Sequence, residues 1–254
     1  MTFSAQIDGI YILIPTTELQ VNAGEAVRFG LVDPSRAEDV PVVLDAVVEA
    51  HKRVVGSAFT PDTCEEYLQM HSSHWLGRAF GKKAFYSGFT INGCYAYELG
   101  SKYSEGHGYK GLSFDKAHIC DGDVIEVFAF QDSFGMDYYT YFMQDGRRIK
   151  ELNLAVGERA KLKLEGLMYG YGGPMKRTDR ISHHLVSEVS EAQLVTVDVS
   201  TGLMLPIPDA ITDEDEGQVE VGFDEPGVYY VSSIGGEVRY NAHLVFPWLK
   251  VNVS

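Results

Sequence analysis

Hydrophobic and polar residues alternate along two stretches in the middle of the chain, and a turn sequence accompanies each stretch. Gly88–Glu98 (GFTINGCYAYE) contains the turn-forming pair Asn92-Gly93. Asp121–Gln131 (DGDVIEVFAFQ) opens with an Asp-Gly turn. Beyond that turn two sets of residues alternate, Val124, Glu126, Phe128 and Phe130 against Ile125, Val127 and Ala129. The pattern predicts two strands that organise the first half of the chain.

Two helices and two earlier strands are predicted in this half. The strands are Gly9–Ile14 and, after a turn at Asn22–Glu25, Ala26–Leu31. Asp39 can cap a helix that has Pro41 in its first turn and ends before Gly56, with the apolar stripe Val40, Val43, Leu44, Val47, Val48 and Val54. A second helix is predicted to start at Thr60-Pro61-Asp62 and to continue past His71 and Trp75. This order of elements predicts an α+β domain.

From Asp137 onward the pattern contains almost no helix signal. Short alternating segments separated by Gly, Pro and Asp/Asn turns predict strands at Tyr138–Met143, Arg159–Glu165, Gln193–Val199, Gln218–Phe223, Val228–Ser233 and Trp248–Val253. Several short strands of this kind predict an antiparallel sandwich. We place the domain boundary near Ser133–Asp137, which gives an α+β domain at residues 1–134 and an all-β domain at residues 135–254.

Composition and charge narrow the class of partner. The chain has 254 residues, 45% of them hydrophobic, and a formal net charge of -15. Phosphate binding needs a basic surface, so we expect no nucleic-acid partner. No apolar run approaches the roughly 20 residues of a membrane helix, and Met1–Gln6 does not resemble a signal peptide, so we expect no membrane insertion within this segment.

Few residues form a recognisable catalytic or metal-binding pattern. His71 and His74 would share one helix face, but zinc needs three or four ligands. Asp213 and Asp215, in the acidic run Asp213–Glu216, could offer oxygen ligands to calcium, although a solvated acidic turn is the better explanation of the run. His183 and His184 would face opposite sides of a strand.

The chain has three cysteines, Cys64, Cys94 and Cys120, so any pairing leaves one over. A bridge between Cys94 and Cys120 is possible, but we favour three buried free thiols. Neither a nucleophile motif nor a phosphate-binding loop is present, so we expect no enzyme activity and no cofactor.

Aromatic residues are the stronger candidates for a binding surface, because tyrosine combines a large apolar face with a polar tip. One set belongs to a strand and to the Gly-rich loop Gly100–Gly111, namely Tyr95, Tyr97, Tyr103, His107 and Tyr109. A second set surrounds the start of the second domain, namely Tyr138, Tyr139, Tyr141, Phe142, Tyr169 and Tyr171. Strand members are in part core residues, whereas a dozen-residue loop is more often functional, so we favour Tyr103, His107 and Tyr109.

The first half resembles the β-grasp domain of bacterial cell-surface proteins, which is similar to the C-terminal domain of the cobalamin carriers transcobalamin and intrinsic factor. The resemblance covers about residues 7–132. It rests on the early strand and turn, the helix at Asp39–Val55, the segment Phe89-Thr90-Ile91-Asn92-Gly93 and the segment Asp121-Gly122-Asp123-Val124-Ile125-Glu126.

The second half, about residues 137–254, resembles bacterial immunoglobulin-like repeats. Gly217–Val221 leads into Phe223–Val231, which contains a Glu-Pro-Gly turn between strands, and Trp248–Val253 looks like their final strand. Together the resemblances imply a non-enzymatic binding or adhesion module, extracellular or on a bacterial cell surface, with an unknown extracellular ligand or protein as its partner. The alternatives are a carrier of a tetrapyrrole or cobalamin-like molecule and a hydrolase of unknown class.

Overall fold

The protein is described by a computed structural model that covers residues 1–5, 11–72, 75–84, 87–92, 113–129, 138–168, 186–238 and 244–254. This part of the chain is mainly β-sheet with a few short helices, as the sequence predicts. It divides into two compact units, unit 1 (described residues up to 129) and unit 2 (described residues from 138 onward). The boundary predicted at residues 133–137 lies outside the described residues and stays a prediction.

Unit 1 combines one main helix with seven short strands. Its strands are β1 (Thr2–Ala5), β2 (Tyr11–Ile14), β3 (Gln69–Ser72), β4 (Trp75–Ala79), β5 (Lys82–Lys83), β6 (Ser87–Ile91) and β7 (Ile125–Ala129). Its helices are α1 (Glu25–Arg28), α2 (Val43–Val55) and α3 (Cys64–Tyr67), with 3-10 turns at Pro34–Arg36, Gly56–Ala58 and Pro61–Thr63.

The main sheet of unit 1 has the strand order β2-β1-β7-β6. β1 is antiparallel to β2 and parallel to β7, with Phe3 opposite Val127. β6 and β7 are the two strands predicted from the middle of the chain, and they pair antiparallel with Ile91 opposite Ile125. All residues of both strands are buried. Both faces of these strands are therefore covered, and their alternating residues do not divide into a core face and a solvent face.

Helix α2 forms the centre of the unit 1 core. Val43, Leu44, Val47 and Val48 are all fully buried and share a cluster with apolar residues of the main sheet, among them Phe3. The helix ends at Gly56, as predicted, where φ is 70°, a left-handed value that suits glycine.

The start of α2 differs from the prediction. The helix begins at Val43, not near Asp39, because backbone carbonyls of a distant segment accept its first N–H groups: Val43 donates to Ala117 (2.9 Å) and Leu44 donates to Phe114 (2.9 Å). The Asp45 carboxylate accepts the Val42 N–H (3.1 Å) and the Ala26 N–H (2.8 Å). The side chain that caps the helix therefore lies inside it, and Asp39 is exposed.

Two further element predictions are wrong. Ala26 is part of the short helix α1 rather than of a strand, because Asp45 holds its N–H. The helix predicted to start at Thr60-Pro61-Asp62 begins as a 3-10 turn, Pro61–Thr63, capped by the Thr60 side chain, and the α-helix that follows ends at Tyr67. Leu68 is extended (φ -138°, ψ 124°), and the apolar residues beyond it belong to the three-stranded sheet β3-β4-β5.

Unit 2 consists of strands. They are β8 (Tyr138–Gln144), β9 (Arg147–Ile149), β10 (Glu151–Leu154), β11 (Arg159–Met168), β12 (Val186–Glu188), β13 (Gln193–Val197), β14 (Met204–Ile211), β15 (Gln218–Gly222), β16 (Gly227–Ile234), β17 (Leu244–Val245) and β18 (Leu249–Val253). All six predicted strands are confirmed, whereas β9, β10, β12, β14 and β17 were not predicted.

The strands of unit 2 form two sheets. One has the order β10-β18-β16-β13-β14, and the other has the order β12-β11-β8-β17, with β15 added to β11 and β9 added to β8. Apolar residues from both sheets, such as Leu164 and Val251, join one core cluster. The sheets are not purely antiparallel as predicted, because β10 pairs parallel with β18 and β17 pairs parallel with β8.

The aromatic residues at the start of unit 2 belong to its interior. Tyr138, Tyr139, Tyr141 and Phe142 lie on β8 and expose at most 3% of their surface. They are therefore scaffold rather than a binding surface, while Tyr169 and Tyr171 lie outside the described residues.

The longest helix, α2, has 13 residues. Within the described ranges no helix combines the length and the apolar character that crossing a bilayer requires.

Asp45 provides a test of how α2 is capped. We expect Asp45→Ala to destabilise unit 1 by about 2–4 kcal/mol, because it leaves buried N–H groups without an acceptor. The matched control, Asp39→Ala, removes an exposed carboxylate and should change stability by less than about 0.5 kcal/mol. Trp75 fluorescence during urea unfolding, in a Trp248→Phe background that leaves Trp75 as the one tryptophan, reports on unit 1. Equal losses in the two variants would contradict this assignment.

Candidate functional site

The predicted aromatic site lies outside the described residues, but both ends of the segment that carries it are described. Tyr95, Tyr97, Tyr103, His107 and Tyr109 all fall between Asn92 and Ser113. Their role as ligand-binding residues therefore stays a prediction. The residues on which the segment begins and ends show where it joins the fold.

The segment begins at a tightly held turn. Asn92 has a left-handed backbone (φ 54°), which asparagine tolerates better than most residues. Its side-chain Nδ2 donates to Asp123 Oδ1 (2.8 Å), its Oδ1 accepts the Val124 N–H (2.9 Å), and its own N–H donates to the Val124 carbonyl (2.7 Å). The Asn-Gly turn and the Asp-Gly turn recognised in the sequence are thus joined to each other by hydrogen bonds.

A groove of about 760 Å³ lies beside this turn. Since β1 is antiparallel to β2 and parallel to β7, the chain leaving β2 and the chain entering β7 lie at the same end of the sheet. The first supplies Thr16–Leu19 and Val21, and the second supplies Ile119–Ile125. Pro41, just before α2, lines the groove between them.

The groove has an apolar part and a polar part. Leu19, Val21 and Ile119 contribute aliphatic surface, whereas Asp121 and Asp123 contribute carboxylates. A concave site of this size that combines apolar surface with a few polar groups has the character of a small-molecule or peptide site. No sequence pattern predicts this groove, because its two walls are about a hundred positions apart in the chain.

Cys120 places a thiol in the groove. Cys120 is a free thiol but is exposed, not buried as predicted, whereas Cys64 is free and buried. Partial burial and the carboxylates of Asp123 and Asp121 raise the pKa of Cys120. Burial raises the pKa of Cys64 to about 11. Cys94 lies outside the described residues.

Within the described residues, the weak metal candidates do not form a metal site. His71 lies on strand β3, so the helix face that it was predicted to share with His74 does not exist, and His74 is outside the described residues. The Asp213 carboxylate accepts the N–H of Glu216 (2.7 Å), and this bond lowers its pKa. Asp215 belongs to the same exposed turn. In the portion of the chain that the structure describes, no three acidic, histidine or cysteine side chains are arranged to hold a metal ion.

Comparison with known proteins adds no family to these observations. No family model matches the chain, and no curated protein matches it. The site is therefore interpreted from its own geometry.

Asn92 provides a test of the groove wall. Asn92→Gly keeps the left-handed backbone but loses two side-chain hydrogen bonds, and we expect it to cost about 1–2 kcal/mol. Asn92→Ala adds the strain of a left-handed alanine, so it should cost about 1 kcal/mol more. Urea unfolding followed through Trp75 gives both values. The reverse order of the two variants would show that the backbone at residue 92 does not need a left-handed conformation.

Proposed function

We propose that the chain is a non-catalytic recognition protein of a bacterial cell surface. In this proposal unit 1 is a β-grasp domain that binds an extracellular ligand, and unit 2 is an immunoglobulin-like spacer. The ligand meets the groove of unit 1 and the aromatic residues Tyr103, His107 and Tyr109.

The strand connections of both units support the proposed fold classes. In unit 1 a hairpin is followed by a helix, and the last strand, β7, pairs parallel with the first, β1, which is the connection expected of a β-grasp domain. In unit 2 two sheets share one core, which is the layering expected of an immunoglobulin-like sandwich. This pair of arrangements is the combination that the sequence resemblances imply.

The observation that supports ligand binding most directly is the position of the groove. The aromatic segment begins directly after Asn92, whose side chain holds Asp123 and Val124, and both of these residues line the groove. A ligand in the groove would therefore lie next to the start of the segment.

The lining indicates the chemistry of the ligand. An apolar portion would pack against Leu19, Val21 and Ile119. Hydroxyl or ammonium groups at its polar end would donate hydrogen bonds to the carboxylates of Asp121 and Asp123, which act only as acceptors when ionised. A sugar residue or a short peptide with a basic or hydroxyl side chain fits this description.

Cys120 allows the binding site to be tested directly. In a Cys94→Ser background, glycan and peptide arrays identify a ligand, and the reaction of Cys120 with a maleimide is then timed with and without it. We expect bound ligand to slow this reaction at least about fivefold, because the thiol lies in the groove. Cys64 should stay unreactive throughout, since it is buried and its pKa is raised.

The aromatic part of the site needs its own variant. Alanine at Tyr103, His107 and Tyr109 together should weaken binding at least about tenfold, whereas Val228→Ala, which removes an exposed side chain of unit 2, should leave it unchanged. Unchanged binding by the triple variant would overturn the role of the segment. A spectral shift of haemin or cyanocobalamin on mixing would instead favour a carrier function.

A further inference from the structure

His51 is a fully buried histidine in helix α2 whose two ring nitrogens both have backbone partners. Nε2 lies 2.8 Å from the Phe80 backbone nitrogen, which carries a hydrogen and must donate, so Nε2 accepts. The proton of the neutral ring is therefore on Nδ1, which donates to the Val47 carbonyl (2.7 Å). Only the neutral ring, with its proton on Nδ1, can make both of these bonds and so join the helix to the hairpin β4-β5.

Phe80 has a strained backbone conformation that contacts with neighbouring residues must stabilise. Phe80 and Gly81 form the two-residue turn between β4 and β5, where Ala79 pairs with Lys82. Both turn residues have left-handed backbones, with φ of 49° and 77°. This geometry suits a tight hairpin but strains a phenylalanine at the first position.

Contacts from three directions hold the strained turn in place. The Phe80 ring stacks on the His51 ring at 3.7 Å, with the planes inclined by 7°, and meets Phe3 edge-on at 5.2 Å. The Gly81 N–H donates to the Tyr67 carbonyl (3.0 Å). His51 is the one of these partners that both stacks on Phe80 and accepts its N–H.

We propose that His51 and the Phe80–Gly81 turn form an acid-sensitive latch that fastens the β4-β5 hairpin to helix α2. A protonated ring carries hydrogens on both nitrogens, so Nε2 no longer accepts the Phe80 N–H and two donors face each other. The partly buried Phe80 N–H is left without its acceptor, the ring charge is placed among apolar side chains, and the strain at Phe80 is no longer offset.

The direction of the pH dependence follows from burial. Burial lowers the pKa of His51 from 6.5 to about 4 in the closed structure, against the opposing effect of the Val47 and Tyr67 carbonyls. A released ring returns towards its ordinary value, so the closed form binds fewer protons than the open form. Opening is therefore favoured as the pH falls from 6.5 towards 4 and is unaffected above that window.

The charged groups around the latch do not set this pKa. The ionisable side chains on the packed elements are Asp45, Glu49, Lys52 and Arg53 on α2, Cys64, Glu65, Glu66 and Tyr67 on α3, His71 on β3, Arg78 on β4, and Lys82 and Lys83 on β5. The causes of the His51 shift are burial and two backbone carbonyls, without a contribution from any of these side chains.

Opening is confined to the turn, because other bonds hold the remainder of the hairpin. The Leu76 N–H donates to Ser87 Oγ (2.7 Å), and Arg78 donates to the Glu66 carbonyl (3.2 Å). Neither bond involves His51. The main sheet strand β7 is likewise independent of the latch, since its partners are β1 and β6.

Amide hydrogen exchange read by NMR tests the latch. The protection factor of the Phe80 amide, corrected for intrinsic exchange, should fall about 30-fold between pH 8 and pH 5. This is the change expected when the pKa of His51 is 6.5 in the open form and about 4 in the closed form. The Val127 amide in β7 should keep its protection. A 15N titration of the His51 ring should show a neutral ring protonated on Nδ1 at pH 8 and a pKa well below 6.5.

Two variants complete the test. His51→Gln supplies a side-chain oxygen that accepts the Phe80 N–H without titrating, so Phe80 protection should become independent of pH. His118→Gln, which alters a partly buried histidine elsewhere in unit 1, should leave the wild-type response intact. The proposal is overturned if Phe80 protection is equal at pH 8 and pH 5 in the wild type, or if Val127 loses protection in parallel. A His51 pKa of about 6.5 in the wild-type protein, measured in the 15N titration, would also overturn the proposal.

Discussion

The parallel pairing of β1 with β7 is the interaction on which unit 1 depends. It joins Thr2–Ala5 to Glu126–Ala129, so the first and last strands of the unit become neighbours although the whole of α2 lies between them in sequence. The pairing also decides where the groove forms, since it brings the exit of β2 and the entrance of β7 to one end of the sheet. Joining strands so far apart in the sequence costs chain entropy, which the apolar core around α2 offsets.

The proposed recognition segment is fixed at both of its ends by separate sets of interactions. At its start Asn92 is bonded to Asp123 and Val124. At its end the turn after Ser113 supplies the Phe114 and Ala117 carbonyls that complete the first turn of α2. Ion pairs secure that turn: Arg36 binds Asp115 (2.6 Å), and Lys116 binds Glu38 (2.6 Å). The helix and the segment therefore depend on the same short stretch of chain.

Local signals in the sequence predicted the elements that local chemistry determines. Asn92, Gly56 and Thr60 occupy the turn, C-cap and N-cap positions that their side chains or backbone freedom favour. Predictions failed where a distant backbone took over a local role. Asp39 was a reasonable cap for α2, but carbonyls from residues 114 and 117 accept the first N–H groups instead. The apolar residues after Tyr67 fit a helical spacing, yet an extended Leu68 and the Phe80–Gly81 turn place them in a hairpin. The groove could not be predicted, because no spacing within the chain encodes that residues 16–21 and 119–125 meet.

The parallel arrangement of β1 and β7 has a mechanical consequence for a protein under tension. The chain enters β1 at one end of the pair and leaves β7 at the opposite end, so a pulling force slides the two strands along each other. In this shear geometry all hydrogen bonds between the strands bear the load together, whereas an antiparallel hairpin pulled from its open end loses them one at a time. The pairing of β1 with β7 therefore resists a force along the chain more strongly than an antiparallel hairpin pulled from its open end.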